Sequence, residues 1–259
     1  MRIATRLGQL FGTCPGFTRR LRNLAGPSST RSLADADRRG GDRVIESIAD
    51  LVAFLKRFHR YWLDDPSLDR AQIPADLPDG LATIYRELGA LVELEDDPGP
   101  FGAQDGLAPL SRLKRVNGMV EFAWENQSNW SARCPVGRSD PPVFSNAADV
   151  WAMERRGFVV VCESLNHFLT TLCLQEAVMS CSHLMTVDAD RPSTELVSIP
   201  LRPLWLNGFY VSGEPDHDFY VSPDHDVLVM RWGDDLWVGS SVNKVAGLAA
   251  SKVGLTVLR

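Results

Sequence analysis

Long apolar runs are missing from this 259-residue sequence. Stretches such as Phe158 to Cys162 and Val227 to Met230 fall far short of the roughly 20 apolar residues that span a bilayer, so no transmembrane segment is expected. Cysteine is scarce and unpatterned: Cys14, Cys134, Cys162, Cys173 and Cys181 are odd in number, contain no C-x-x-C pair and mostly have apolar neighbours. They read as reduced core residues of a cytoplasmic protein. Catalytic signatures are absent too. There is no G-x-S-x-G elbow, no H-E-x-x-H, no G-x-G-x-x-G and no P-loop, so no cofactor is expected and nucleophilic catalysis finds no support. Asn126-Gln127-Ser128 and Asn129-Trp130-Ser131 match the glycosylation acceptor pattern, but without a secretory signal no glycan is expected there.

What the chain does have is enough apolar material for a core, at 44% hydrophobic residues, and an uneven charge. Residues 1–43 hold nine Arg, no Lys and three Asp, a balance of +6. The remainder carries 18 basic and 30 acidic residues, or −12. A body this acidic is a poor nucleic-acid binder, because phosphate contacts need Lys and Arg gathered on one face. It suits a basic protein partner better, beside the plainer reading of an ordinary solvated acidic surface.

The first 43 residues lack a sustained apolar period and are rich in Arg, Gly and Ser, which predicts a disordered basic tail. An organelle transit peptide and a start assigned too far upstream are alternative readings of the same stretch. From residue 44 to 259 a single α+β domain is expected. Val44, Ile48, Leu51, Leu55, Phe58 and Trp62 share one helical face, with Asp42 placed to cap it. Leu77, Leu81, Ile84, Leu88 and Leu91 mark a second helix, with Pro78 in its first turn. Val120, Phe122 and Trp124 alternate with Glu121, Ala123 and Glu125, a strand with the first three residues inward. Phe158 to Cys162 is another strand. Ser164 caps a helix whose inward stripe is Leu165, Phe168, Leu169, Leu172, Glu176 and Met179, interrupted in apolar character only by Glu176. His167 lies off that stripe. Short strands at 209–211, 219–221, 227–232 and 236–238 follow, so the order of elements predicts helices packed on a mainly antiparallel sheet.

Two D-H-D triplets, Asp216-His217-Asp218 and Asp224-His225-Asp226, are the most tempting chemical signal, since His with carboxylates ligates transition metals. Each follows a proline, a turn-forming context, and they flank one strand, which works against convergence; no metal is expected. Glu121 and Glu125 on one strand face are ordinary in so acidic a chain. Trp124 and Trp130, with the amides of Asn126, Gln127 and Asn129 between them, form the most distinctive local composition. They make either an adaptable binding surface or, more simply, a core Trp124 beside a hydrogen-bonded loop.

Residues 74 to 181 resemble the SUKH superfamily of fungal cell-wall-synthesis regulators and bacterial toxin-immunity proteins. The resemblance runs through Leu77-Pro78 with Tyr85 and Gly89, the Leu107 to Leu113 segment and Phe122-Ala123-Trp124-Glu125-Asn126-Gln127. It continues through Asp140-Pro141-Pro142-Val143, Trp151 and Ser164-Leu165. It implies an α+β fold that binds protein partners without a catalytic centre. The expected partner surface is Glu95, Asp96, Asp97, Glu125, Asn126, Gln127, Trp130 and Asp140, facing a basic protein such as a toxin domain, with no nucleic acid and no membrane. The strand-rich stretch 200–259 lies beyond the resemblance, as part of the same sheet or an appendage. The competing readings are a metal-dependent enzyme using His217 and His225, and a scaffold.

Overall fold

The computed structural model describes residues 45–60, 62, 64–94, 99–151, 155–188, 199–241 and 256–258. The chain divides into residues 1–41 and 42–259, and every described residue belongs to the second unit. The expected tail, residues 1–43, lies outside the described residues, as do Glu95, Asp96 and Asp97.

Helix α1, Ile48–Phe58, buries Ile48, Leu51, Leu55 and Phe58, the face the periodicity predicts. Its cap is Ser47, not Asp42. The Ser47 hydroxyl accepts from the Asp50 amide at 3.2 Å and donates to the Asp50 carboxylate at 2.7 Å, satisfying an N-terminal amide that has no helical partner. Helix α2, Asp79–Val92, buries Leu81, Ile84, Leu88 and Leu91 together with Tyr85, whose hydroxyl donates to the Ala108 carbonyl at 2.5 Å. Pro78 stands at the cap position, where a missing N–H leaves nothing unsatisfied.

The fold is α+β, as expected, with two antiparallel sheets; the stretch beyond 200, left open between the same sheet and an appendage, lies in the second. The first sheet joins β1 (Asp105–Leu107), β2 (Lys114–Val116), β3 (Met119–Glu125), β4 (Ser131–Pro135), β5 (Val143–Ser145) and β6 (Val159–Cys162). Its order is β1-β3-β4-β5-β6, with β2 paired to β3 beside β1. Asn117 and Gly118, at φ 53° and 74°, turn β2 into β3, a two-residue hairpin that needs both residues in the left-handed region. The short helix α3, Ala147–Trp151, separates β5 from β6. The second sheet joins β7 (His183–Asp188), β8 (Arg202–Phe209), β9 (Pro215–Val221), β10 (Val227–Trp232), β11 (Asp235–Ser240) and β12 (Thr256–Leu258), in the order β12-β7-β11-β10-β9-β8. The stretch beyond 200 therefore pairs with itself and with β7. The strand expected at 209–211 lies earlier, at 202–209, and Tyr210 and Val211 follow it as buried residues.

Helix α4, Leu165–Met179, with Ser164 as its cap, contacts both sheets and both long helices. Every residue from Phe168 to Met179 is buried. The single inward stripe expected of it is thus the wrong picture: a helix with neighbours on all sides has no solvent face to keep polar. Where it meets the second sheet the backbones come close. A Cβ at Gly239 would stand 2.8 Å from the Val178 carbonyl oxygen and 2.8 Å from the Cys181 sulfur. Gly239→Ala is therefore expected to destabilise the protein by about 1–3 kcal/mol through overpacking, read as a lower denaturation midpoint at unchanged m-value. A variant as stable as the parent would show that helix and strand separate freely.

One apolar core runs between the sheets and around α4. The second sheet carries a separate apolar cluster, Met185, Val187, Val227, Val229 and Val238, so it is buried on both faces. Cys134, Cys162 and Cys173 are buried free thiols and Cys181 is half-buried. Among the described residues, no helix is long and apolar enough to cross a membrane.

Candidate functional site

Strand β3 begins as the alternation predicts, with Val120 and Phe122 inward, but a register shift between Glu121 and Ala123 against β4 reverses the faces. A bulge inserts one residue, so side chains beyond it point the other way. Ala123 and Glu125 turn inward, with Glu125 only 9% exposed, and Trp124 turns out to a half-buried position. Trp130 is also not where a partner anchor must be: it is 3% exposed and packs edge-on against Tyr210, ring centroids 5.9 Å apart. The expected surface roles of Glu125 and Trp130 are corrected accordingly, and the accessible indole of this region is Trp124.

Between them the loop is exposed from Asn126 to Asn129. It is nevertheless held at both ends. The Glu125 carboxylate accepts from the Asn129 amide at 3.1 Å, and the Asn126 amide donates to the Gln104 carbonyl at 3.1 Å. Beside it lies an open groove of about 570 Å³ lined by Arg112, Lys114, Trp124, Asn129, Ser131 and Asn146 among others. Glu121, its one acidic wall residue, accepts from Ser131 at 3.0 Å and pairs with Lys114 at 3.3 Å. Asp140 is exposed but belongs to a different depression, where it accepts from the Ser164 hydroxyl at 2.7 Å and the Asn166 amide at 2.9 Å and so completes the N-terminus of α4. The fold thus brings Ser128 and Asn129 of the loop to the groove, keeps Asn126 and Gln127 exposed on the same loop outside its lining, and leaves Asp140 away from it.

Beneath the loop sits a buried polar network that the sequence reading did not assemble. Glu176, fully buried on α4, accepts three backbone amides: Ala103 at 2.7 Å, Gln104 at 3.0 Å and Asp105 at 2.9 Å. Asp105, 5% exposed, accepts from Tyr210 at 2.8 Å and Gln175 at 2.6 Å on one oxygen, while its other oxygen is buried without a partner. Burial is the main cause that raises both carboxyls, with like charge added by Glu125 at Asp105 and by Asp105 at Glu176; Asp105 is pushed up to about 7. Tyr210 is held well above its ordinary value by burial and then by the two carboxylates. The polar break at Glu176 in an otherwise apolar stripe is the signal from which this centre could have been found. Nothing local marks Asp105.

The two histidines of the D-H-D triplets are not brought together. The first triplet is part of strand β9, where a turn was expected. There His217, 1% exposed, has one ring nitrogen 2.6 Å from Asp216 and the other 3.2 Å from the Gln175 side-chain oxygen. The second triplet does form a turn, with His225 at φ 61°. Its ring contacts the Arg202 guanidinium, and Arg57 and Arg60 tie the same turn to α1 through the Asp224 carbonyl and the Asp226 carboxylate. Among the described residues, no three His, Cys, Asp or Glu side chains are grouped as a metal site. Compared with family models, with curated proteins and with solved structures, the chain matches none.

Proposed function

We propose that the chain is a non-catalytic protein-binding module, of immunity or regulatory type, that binds a basic protein partner such as a toxin domain. The observation that carries this reading is the open groove with the accessible Trp124 indole, framed by Arg112, Ser128, Asn129, Ser131 and Asn146, on the loop that also exposes Asn126 and Gln127. An indole supplies large contact area at small conformational-entropy cost, and amides beside it supply hydrogen bonds that adapt to the partner, the composition of interface anchor points. The resemblance of residues 74 to 181 to the SUKH superfamily supports the same reading. Beyond residue 43 the chain holds 18 basic and 30 acidic residues, so its overall field draws in a basic protein. Arg112 and Lys114 then restrict what enters the groove itself to an acidic or aromatic side chain of that protein.

The test is capture of the partner followed by binding kinetics with purified components at several salt concentrations. Association is expected to slow as salt rises, because screening shortens the field to about 8 Å at physiological ionic strength. Trp124→Ala is expected to raise the dissociation rate by roughly 30-fold, the equivalent of about 2 kcal/mol, with little change in melting temperature. A partner held equally well by the variant would move the interface elsewhere. A salt-independent association rate would remove the electrostatic part of the reading.

A further inference from the structure

The buried network and the exposed loop share a backbone. Residues 103–105 are gathered around the Glu176 carboxylate by three amides, and the carbonyls of the same segment receive the binding loop. The Asn126 amide bonds Gln104 at 3.1 Å and the Asn126 side chain reaches Ala103 at 3.5 Å. The three N–H donors favour the charged form of Glu176 against the burial that raises it, and an added proton on Glu176 would point at those donors. Asp105 has the opposite situation, with one oxygen buried and unpartnered and therefore free to carry a proton.

The groups that face Asp105 leave its charge uncompensated. Helix α4 presents Glu176 and the neutral Gln175 amide, and the Cys173 thiol is buried beside Glu176. Strand β3 presents Glu125, the segment after β8 presents the Tyr210 hydroxyl, and β9 presents His217, which is linked to Asp105 through Gln175 and hydrogen-bonds Asp216 with its other ring nitrogen. Among the described residues, no Lys or Arg pairs with Asp105 or Glu176. A metal cation is disfavoured, because both Glu176 oxygens are already occupied by N–H groups.

We infer that Asp105 is an internal proton-binding site whose occupancy is transmitted to the 125–129 loop, so that the protein's binding face responds to pH. With the proton bound, Asp105 sits neutral beside the Glu176 carboxylate and the 103–105 segment keeps its hold on Asn126. When the proton leaves, the Asp105 charge faces the Glu125 and Glu176 carboxyls in the core, the segment is pushed from Glu176, and the Asn126 bonds loosen. The inference rests on the proposed function only for the role of the loop; the proton site and its coupling are measured without any partner.

The experiment is an amide chemical-shift titration of the full chain between about pH 5 and about pH 9, a range that brackets both His and a raised carboxyl. The amides of Gln104, Asp105, Asn126 and Asn129 are expected to titrate together with a midpoint within about one unit of 7, and the titration is expected to vanish in Asp105→Asn. Shifts that persist in that variant come from a group other than Asp105 and overturn the inference, as does a flat profile in the parent. Tyr210→Phe guards against a variant that fails to fold. It removes a hydrogen bond that favours the ionised carboxyl, so the midpoint must rise, and a midpoint that stays or falls overturns the assignment to Asp105. Infrared spectra of the parent must show a protonated-carboxyl band that disappears through the same midpoint. If these hold while partner affinity is independent of pH, the proton site stands and the proposed binding face is what fails.

Discussion

Glu176→Ala is expected to lower the melting temperature by roughly 6–12 °C. The variant leaves the amides of Ala103, Gln104 and Asp105 buried without their acceptor. Each unsatisfied buried donor costs about 1–3 kcal/mol, part of which is offset because one buried charge is gone; a net loss of roughly 3 kcal/mol corresponds to about 2–4 °C per kcal/mol in a domain of this size. Glu176→Gln keeps a carbonyl for some of the three amides but turns an NH₂ toward the rest, so it is expected to fall between the parent and the Ala variant. Differential scanning calorimetry distinguishes these outcomes. An Ala variant that melts within a degree or two of the parent would mean that the 103–105 segment is held by something other than this carboxylate.

Asp105→Asn is expected to act in the opposite direction, and only above acidic pH. The folded-state value is raised to about 7, while an unfolded Asp titrates near 3.9. Between those values the folded chain holds a proton that the unfolded chain has released, so stability falls as pH rises through this window and is level above it. Three units correspond to about 4 kcal/mol as an upper figure, and relaxation of the core reduces this to roughly 2–3 kcal/mol. Asn cannot ionise, so its contribution is the same across the window. The variant is therefore expected to melt near the parent at about pH 4 and above it at about pH 8, with the difference growing between. Chemical denaturation at the two pH values reads this directly. A difference that is constant with pH, or one that shrinks as pH rises, would show that Asp105 is ionised in the folded protein throughout.

Much of this protein is written locally. The stripes of α1 and α2 appear in the sequence at steps of three and four because each helix has one apolar neighbourhood and one watery one. Ser164 announces α4 for a similarly local reason, a hydroxyl that satisfies an otherwise unpartnered amide. The pair Asn117-Gly118 marks a hairpin through its backbone freedom alone, although the sequence reading passed over it. The mixture of helices and antiparallel strands follows from such signals and from their order.

What sequence pattern could not decide is everything that depends on which element lies beside which. The bulge in β3 exchanges the faces of Trp124 and Glu125, and it exists only in register with β4. Alternation before the bulge therefore predicts the wrong partner residues after it. The strands after residue 182 close into their own sheet, and that places sheet on both sides of α4, so its stripe loses meaning. Asp105 and Glu176 stand 71 positions apart, and no local preference of either reports the other. Their charges meet because a helix buried between two sheets brings a carboxylate to the start of β1, and the cost of that burial, which gives the pair its chemistry, arises only once water has been excluded by the folded chain.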